Sequence, residues 1–286
     1  MKIAQIPVPV CFLFLLILIL IIFNCAELPF GSNDISSGHR QIRGKVKLHD
    51  GSSPENVYIW LSSFNIGTYA NKTGEFKMNL PPKSSQGTSG GVSGTFDLYF
   101  YIANYKLASS QVVVREGEFA YSRGDINKDG EIYETKILRR FLRINTSVSP
   151  ASVSANYTGS IEAKVALQAT IDSATVIVPE SLGGMLGAIF VKKIDSHEVF
   201  IYKSVPITGT SNKLLVGSSS RSLNMTFNLV LNPLPPSKYE IIPFLLIAHE
   251  TIPEGLIESI GSDVKELHPD YLKIPFKREG GEFEVR

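Results

Sequence analysis

Phe96-Asp97-Leu98-Tyr99-Phe100-Tyr101-Ile102 alternates strictly between apolar residues and residues with a polar tip. Successive side chains of an extended chain point to opposite faces, so this period of two places Phe96, Leu98, Phe100 and Ile102 on one face and Asp97, Tyr99 and Tyr101 on the other. The same rhythm extends outward in both directions. Val57, Ile59 and Leu61 alternate with Tyr58 and Trp60. Further on, Ile161, Ala163, Val165, Leu167, Ala169 and Ile171 alternate with Glu162, Lys164, Gln168 and Thr170, and Leu223, Met225, Phe227, Leu229 and Leu231 repeat the pattern. Clusters of Gly, Pro, Asn and Ser separate these segments. Short alternating strands between turn-forming clusters predict an all-β fold with one core-facing side to each strand.

Three motifs refine the first half: Gly44-Lys-Val-Lys-Leu-His-Asp-Gly51, Pro54-Glu-Asn-Val-Tyr-Ile-Trp-Leu61, and Asn71-Lys-Thr-Gly-Glu-Phe-Lys-Met-Asn-Leu-Pro-Pro82. With the later stretch from Thr95 to Tyr105, they resemble the carboxypeptidase regulatory-like (transthyretin-like) domain over roughly residues 41–120. In that family a G-x-V strand runs through a D-G turn into a second strand, and a segment ending in L-P-P follows. Residues 83–94 are an insertion where the family has a tight turn. The resemblance implies a β-sandwich that serves as a stalk or binding module on surface proteins. Residues 121–146 are expected to form a connecting hairpin and 147–286 a second, Ig-like or transthyretin-like sandwich, in which Leu234-Pro-Pro echoes Leu80-Pro-Pro. Two tandem sandwiches are thus expected, with a short helix from Gly255 to Leu267.

The 286 residues hold 28 basic against 27 acidic side chains. This balance excludes the strong positive field that nucleic-acid binding requires. Residues 6–23 are continuously apolar behind Lys2, as in an export signal or a membrane anchor. Ile22-Phe23-Asn24-Cys25 resembles a bacterial lipobox, with Cys25 as the lipidated residue, although Phe23 and Asn24 depart from the small residues usual there. Residues 1–24 are read as signal peptide or anchor and 25–40 as spacer. A lipoprotein, an uncleaved anchor and ordinary secretion all place residues 26–286 outside the cytoplasm. The only cysteines are Cys11 and Cys25, so the body contains no disulfide, no cysteine nucleophile and no thiolate metal site.

Gly124-Asp-Ile-Asn-Lys-Asp-Gly-Glu-Ile132 has the D-x-N-x-D-G-x-I form of a calcium loop and resembles the start of a dockerin-type repeat (125–136). Asp125, Asn127 and Asp129 offer oxygens at alternate positions, and Glu131 would add its carbonyl. The twelfth position, normally a bidentate acid, is Lys136. A structural calcium ion and a plain Asp-Gly turn in a hairpin over 119–137 both fit. Gly87-Thr-Ser-Gly-Gly91 matches a nucleophile elbow only formally, because it lacks the strand before and the helix after. His197-Glu198 and His249-Glu250 lack the second histidine of a zinc-protease helix. No enzyme is expected.

Tyr58, Trp60, Tyr99 and Tyr101 fall opposite the core positions, on one face. That face is open to three readings: a platform stacking on sugars or a protein partner, packing against the second domain, or ordinary strand composition. Together these readings predict a membrane-anchored, extracytoplasmic lipoprotein at the cell surface. It would act as a non-enzymatic binding or structural module, in adhesion, glycan capture or envelope assembly. The alternative is an accessory subunit of a glycan-degrading or uptake complex.

Overall fold

Alternation becomes strand wherever a turn residue lets the chain reverse, and the first reversals depend on particular side chains. In the computed structural model, which describes residues 39–87, 90–179, 185–204, 211–249 and 251–286, the Asn71 side-chain oxygen accepts from the backbone N–H groups of Thr73 and Glu75, at 3.0 and 2.9 Å. Gly74 follows with φ +83°, and a Cβ there would lie 2.1 Å from the Val46 carbonyl oxygen, so only glycine fits. The lipobox-like Cys25, the proposed signal and anchor, residues 25–38 of the spacer, and Thr88-Ser89 of the elbow-like motif lie outside the described residues.

The first half contains β1 (Gln41–Leu48), β2 (Tyr58–Leu61), β3 (Ile66–Tyr69), β4 (Glu75–Asn79), β5 (Gly94–Tyr101), β6 (Ala108–Arg115), β7 (Glu118–Gly124) and β8 (Lys136–Leu138). They form a three-stranded sheet, β4-β1-β8, and a five-stranded sheet, β3-β2-β5-β6-β7. Ile42, Val46, Phe76, Ile59, Leu98 and Phe100 belong to the buried cluster between them. The expected 119–137 hairpin closes only at its tip, where Ile126 bridges Ile132 antiparallel around the Asp-Gly turn; beyond it the arms join different sheets, β7 pairing with β6 and β8 running parallel to β1 with Val46 opposite Lys136.

The second half contains β9 (Leu142–Ser149), β10 (Ser152–Val153), β11 (Ile161–Ala169), β12 (Ala174–Val178), β13 (Ala188–Lys193), β14 (Val199–Lys203), β15 (Asn212–Val216), β16 (Arg221–Phe227), β17 (Ser237–Pro243), β18 (Leu246–Ala248), β19 (Glu279–Gly280) and β20 (Glu282–Val285). Its sheets run β16-β11-β9-β19, β10-β20-β17-β13-β14 and β15-β12-β18. Ile144, Val165, Leu223, Ile189, Tyr239 and Phe283 share its cluster. Tyr239, in the echoed Leu-Pro-Pro segment, turns its hydroxyl back onto the Pro235 carbonyl four residues upstream, which pins that corner. No α-helix occurs among the described residues. The stretch read as a helix over 255–267 is a succession of turns, followed by a 3-10 turn at Pro269–Lys273 capped by His268. No helix of the described residues is long and apolar enough to cross a membrane.

A third buried cluster joins the halves. Tyr58, Trp60 and Tyr101 from the first half meet Phe190, Phe244 and Ile242 from the second, with Leu256, Tyr271 and Ile274 of the 251–276 segment in the same cluster. Strands β2 and β13 are therefore buried on both faces, and their sequences, Tyr-Ile-Trp-Leu and Ala-Ile-Phe-Val, are continuous apolar runs of the kind such burial requires. Residues 39–286 form one compact unit. A polar network binds the same junction: Arg140, with a side chain only 8% exposed, pairs with Asp50 at 2.6 Å and with Glu279, and donates to Tyr105 and Ser52 at 2.9 Å each. Buried Asn104 donates to the carbonyls of Leu142 and Lys277, fixing the C-terminal segment against the first half.

Candidate functional site

The aromatic face of the five-stranded sheet is a cross-strand ladder. Tyr101 lies opposite Tyr58, and Tyr58 opposite Tyr69. Gly67, opposite Trp60, leaves room for the Tyr58 ring; a Cβ there would meet the Tyr58 hydroxyl at 2.0 Å. The open platform, one reading of Tyr58, Trp60, Tyr99 and Tyr101, is not present, because Tyr58, Trp60 and Tyr101 are buried in the third cluster. Of the three readings of that face, packing between the halves is the one the geometry matches. The polar tips are satisfied internally: Tyr58 shares a hydrogen bond with Ser259 at 2.9 Å and the Trp60 indole donates to Asn65 at 3.1 Å. Tyr99, at the edge of the cluster, donates to Asp97 at 3.3 Å.

The ladder reaches solvent at the edge strand. Tyr69 is 44% exposed and forms one wall of an open cleft of about 790 Å³. The floor is the outer face of β1 and β4, where strand alternation turns Arg43, Lys45, Glu75 and Lys77 away from the core. Register places Arg43 directly opposite Lys77 and Lys45 opposite Glu75. Like charges facing each other across strands destabilise a sheet unless one is compensated. Glu131 compensates Arg43 at 2.8 Å and Glu75 lies 3.8 Å from Lys45, whereas Lys77 has no ion-pair partner among the described residues. The far wall is Tyr133, 62% exposed, whose backbone N–H donates to the Asp125 carbonyl at 2.9 Å. Two exposed rings and three cations therefore face one cleft. Neither Tyr69 nor Tyr133 was singled out from the sequence; the signal for Tyr69 was its pairing with the aromatic run, which becomes visible only with the register.

The calcium-like loop lies beside this cleft, and three of its four candidate ligands, Asp125, Asn127 and Glu131, already have partners, whereas the Asp129 carboxylate makes no hydrogen bond or ion pair among the described residues. The Asn127 side-chain oxygen accepts from the backbone N–H groups of Asp129 and Glu131, at 2.8 and 2.9 Å. Asp125 accepts from the Gln111 N–H at 3.0 Å and lies 3.7 Å from the Lys136 ammonium. The Glu131 carbonyl accepts from the Asn127 N–H, and its carboxylate pairs with Arg43. Lys136, at the twelfth position, thus brings a positive charge to the first-position acid, and a calcium ion binding there would have to displace that ammonium. A different group, Asp263, His268 and Asp270, places three ligand atoms within 4.8 Å of one another. Lys273 pairs with Asp270 at 2.8 Å, and the His268 ring accepts the Asp270 N–H as a cap, so this group has a structural role of its own. His249 is packed between the Tyr101 and Phe141 rings and hydrogen-bonded to the Ala103 carbonyl; Glu250 lies outside the described residues.

No family model matches the chain, and no curated protein does. Among solved structures, it is similar to the Pseudomonas fluorescens alkylpurine DNA glycosylase AlkC bound to DNA containing an abasic site analog, with 12% identity and a TM-score of 0.27 over 51% of this chain and 30% of that one. The chain thus spans less than a third of that protein's length, and a likeness at this score carries no argument about fold or activity.

Proposed function

We propose that the protein is a non-enzymatic binding module of the cell surface, exported and held at the membrane by its N-terminal segment, with Cys25 as the lipidated residue. Its body is read as two β-sandwich halves of transthyretin-like or Ig-like type, fused into a rigid display platform. The observation that carries this reading is the cleft between Tyr69 and Tyr133. Rigid aromatic rings bury area against a sugar or peptide at low entropic cost, and Arg43, Lys45 and Lys77 supply directed donors beside them. A cleft of about 790 Å³ lies within the roughly 300–1,000 Å³ typical of ligand sites. It is open to solvent, which suits a polymer chain crossing it better than an enclosed metabolite. The fused halves support the same reading, since a binding surface gains from a scaffold that does not flex on contact.

The test is calorimetric titration of the detergent-solubilised protein with neutral and acidic polysaccharides and with peptidoglycan fragments. Saturable binding of one class is expected, weakened about tenfold or more in Tyr69→Ala and in Tyr133→Ala, as the loss of a stacking anchor implies. Saturable binding that neither substitution alters would overturn the assignment of the cleft, and no binding to any class would overturn the glycan reading.

A further inference from the structure

A second cavity, of about 440 Å³, lies where the two halves meet, and Tyr69 belongs to its lining as well as to that of the first cleft. It draws cations from distant parts of the chain: Lys192 from β13, and Lys277 and Arg278 from the C-terminal segment. None of the three makes an ion pair among the described residues. Two carboxylates share the lining, Glu55 and Glu240; Glu240 sits opposite Lys192 across the β13–β17 pair without closing to an ion pair. Lys273, also in the lining, is already matched by Asp270.

The guanidinium of Arg278 is held rigidly, stacked 4.0 Å over the Phe276 ring, with Nη2 donating to the Tyr271 hydroxyl at 3.1 Å. Its Nε is buried and has no hydrogen-bond partner. Lys277 spends a hydrogen bond on the Glu55 carbonyl at 2.8 Å, and burial, opposed by the charges of Glu55 and Asp50 and aided by that of Arg140, holds its amine below the ordinary lysine range. Partly buried cations are normally paired, because the solvation they lose is otherwise uncompensated. Here three converge on one cavity against two carboxylates, Glu55 and Glu240, neither of which closes to an ion pair with them. An oxyanion would supply the missing acceptors, and a guanidinium fixed by stacking is preorganised for the planar, two-pronged contact that carboxylates and sulfates make.

We infer that this junction cavity binds an oxyanion group, sulfate or carboxylate, with Lys192, Lys277 and Arg278 as its ligands. The near-neutral charge of the chain conceals the site, because its cations are scattered along the sequence and meet only at the junction. This inference adds to the proposed function, since a polymer reaching from the first cleft past Tyr69 would place its acidic groups here. It does not depend on that cleft.

The solubilised full chain would be titrated with inorganic sulfate, dextran sulfate, polygalacturonate and neutral dextran. Lys192→Gln and Arg278→Gln would be compared with wild type and with Lys203→Gln, a change at an exposed cation of β14, and thermal melting would confirm that each variant folds. Binding of at least one acidic probe and not of neutral dextran is expected, weakened about tenfold in Lys192→Gln and in Arg278→Gln and unchanged in Lys203→Gln, in keeping with the loss of one charge-assisted hydrogen bond. Sulfate competing with the polymers would place the free ion and the polymer's acid group in the same cavity. If Arg278→Gln does not fold, Lys192→Gln decides the matter. Equal affinity in wild type and Lys192→Gln, or no acidic probe bound, overturns the proposal. If Tyr133→Ala weakens the polymers while Lys192→Gln does not, the first cleft stands and this site fails; the reverse result separates them the other way.

Discussion

If the third cluster truly fuses the halves, damage on one side must be felt on the other. Phe190→Ala tests this. Phe190 is fully buried on β13, stacked on Tyr271 at 5.2 Å and set edge-on to Phe244 at 5.9 Å. Truncating a buried Phe to Ala typically costs about 3–5 kcal/mol in transfer and cavity terms. The value here is expected at the upper end, because two ring pairs worth roughly 0.5–1.5 kcal/mol each are lost as well. For a body of this size each kcal/mol lowers the melting temperature by about 2–4 °C, so a fall of roughly 8–20 °C follows. The assay exploits Trp60, the only tryptophan, which lies on β2 in the first half. Melting followed by Trp60 fluorescence and by far-ultraviolet circular dichroism should give one transition in wild type, displaced equally by both probes in Phe190→Ala. A Trp60 transition that stays at the wild-type temperature while the dichroism moves would show two independent domains and refute the fused body.

Two further outcomes are expected. His249 is held neutral below its usual pKa, chiefly by burial and secondarily by Lys106, against the opposing hydrogen bond to Ala103. The unfolded chain takes up this proton near pH 6.5 and the folded chain only at lower pH, so stability is full above about pH 6.5 and falls as the pH drops from there. His249→Phe should flatten that part of a melting-temperature profile, and an unchanged slope would show that the histidine is not the group responsible. Arg140→Met should cost about 3 kcal/mol in chemical denaturation, because it removes the only cation paired with the Asp50 carboxylate among the described residues, leaving that partly buried charge with only the Tyr105 hydroxyl and the Ser52 N–H as donors. Arg43→Met, which breaks a half-exposed pair with Glu131, should cost under about 1 kcal/mol. Equal costs would show that burial does not separate the two pairs.

The sequence by itself determined the all-β class, since a period of two in Phe96 to Ile102, Ile161 to Ala169 and Leu223 to Phe227 admits only strands with a buried face. It also determined the turn at Asn71 to Gly74, whose side-chain capping and left-handed glycine are local properties. Only the tertiary structure decided what covers the other face of each strand. Alternation separates two faces but does not say whether the second meets water or another sheet, and so the face of Tyr58, Trp60 and Tyr101, with their polar tips, stays open between a ligand platform, packing and ordinary strand composition until the tertiary structure packs it with Phe190, Ile242 and the 251–276 segment. Pairing partners were decided there too: β7 and β8 flank an Asp-Gly turn that reads as a hairpin, yet only its tip closes, at Ile126 and Ile132, while β7 joins β6 in one sheet and β8 joins β1 in the other, so that Phe119 and Leu138 enter the cluster between the sheets from opposite sides. Both candidate sites belong to the same class of information. Tyr69 and Tyr133, and likewise Lys192 and Arg278, are distant along the chain, and only long-range pairing brings them to a common cavity.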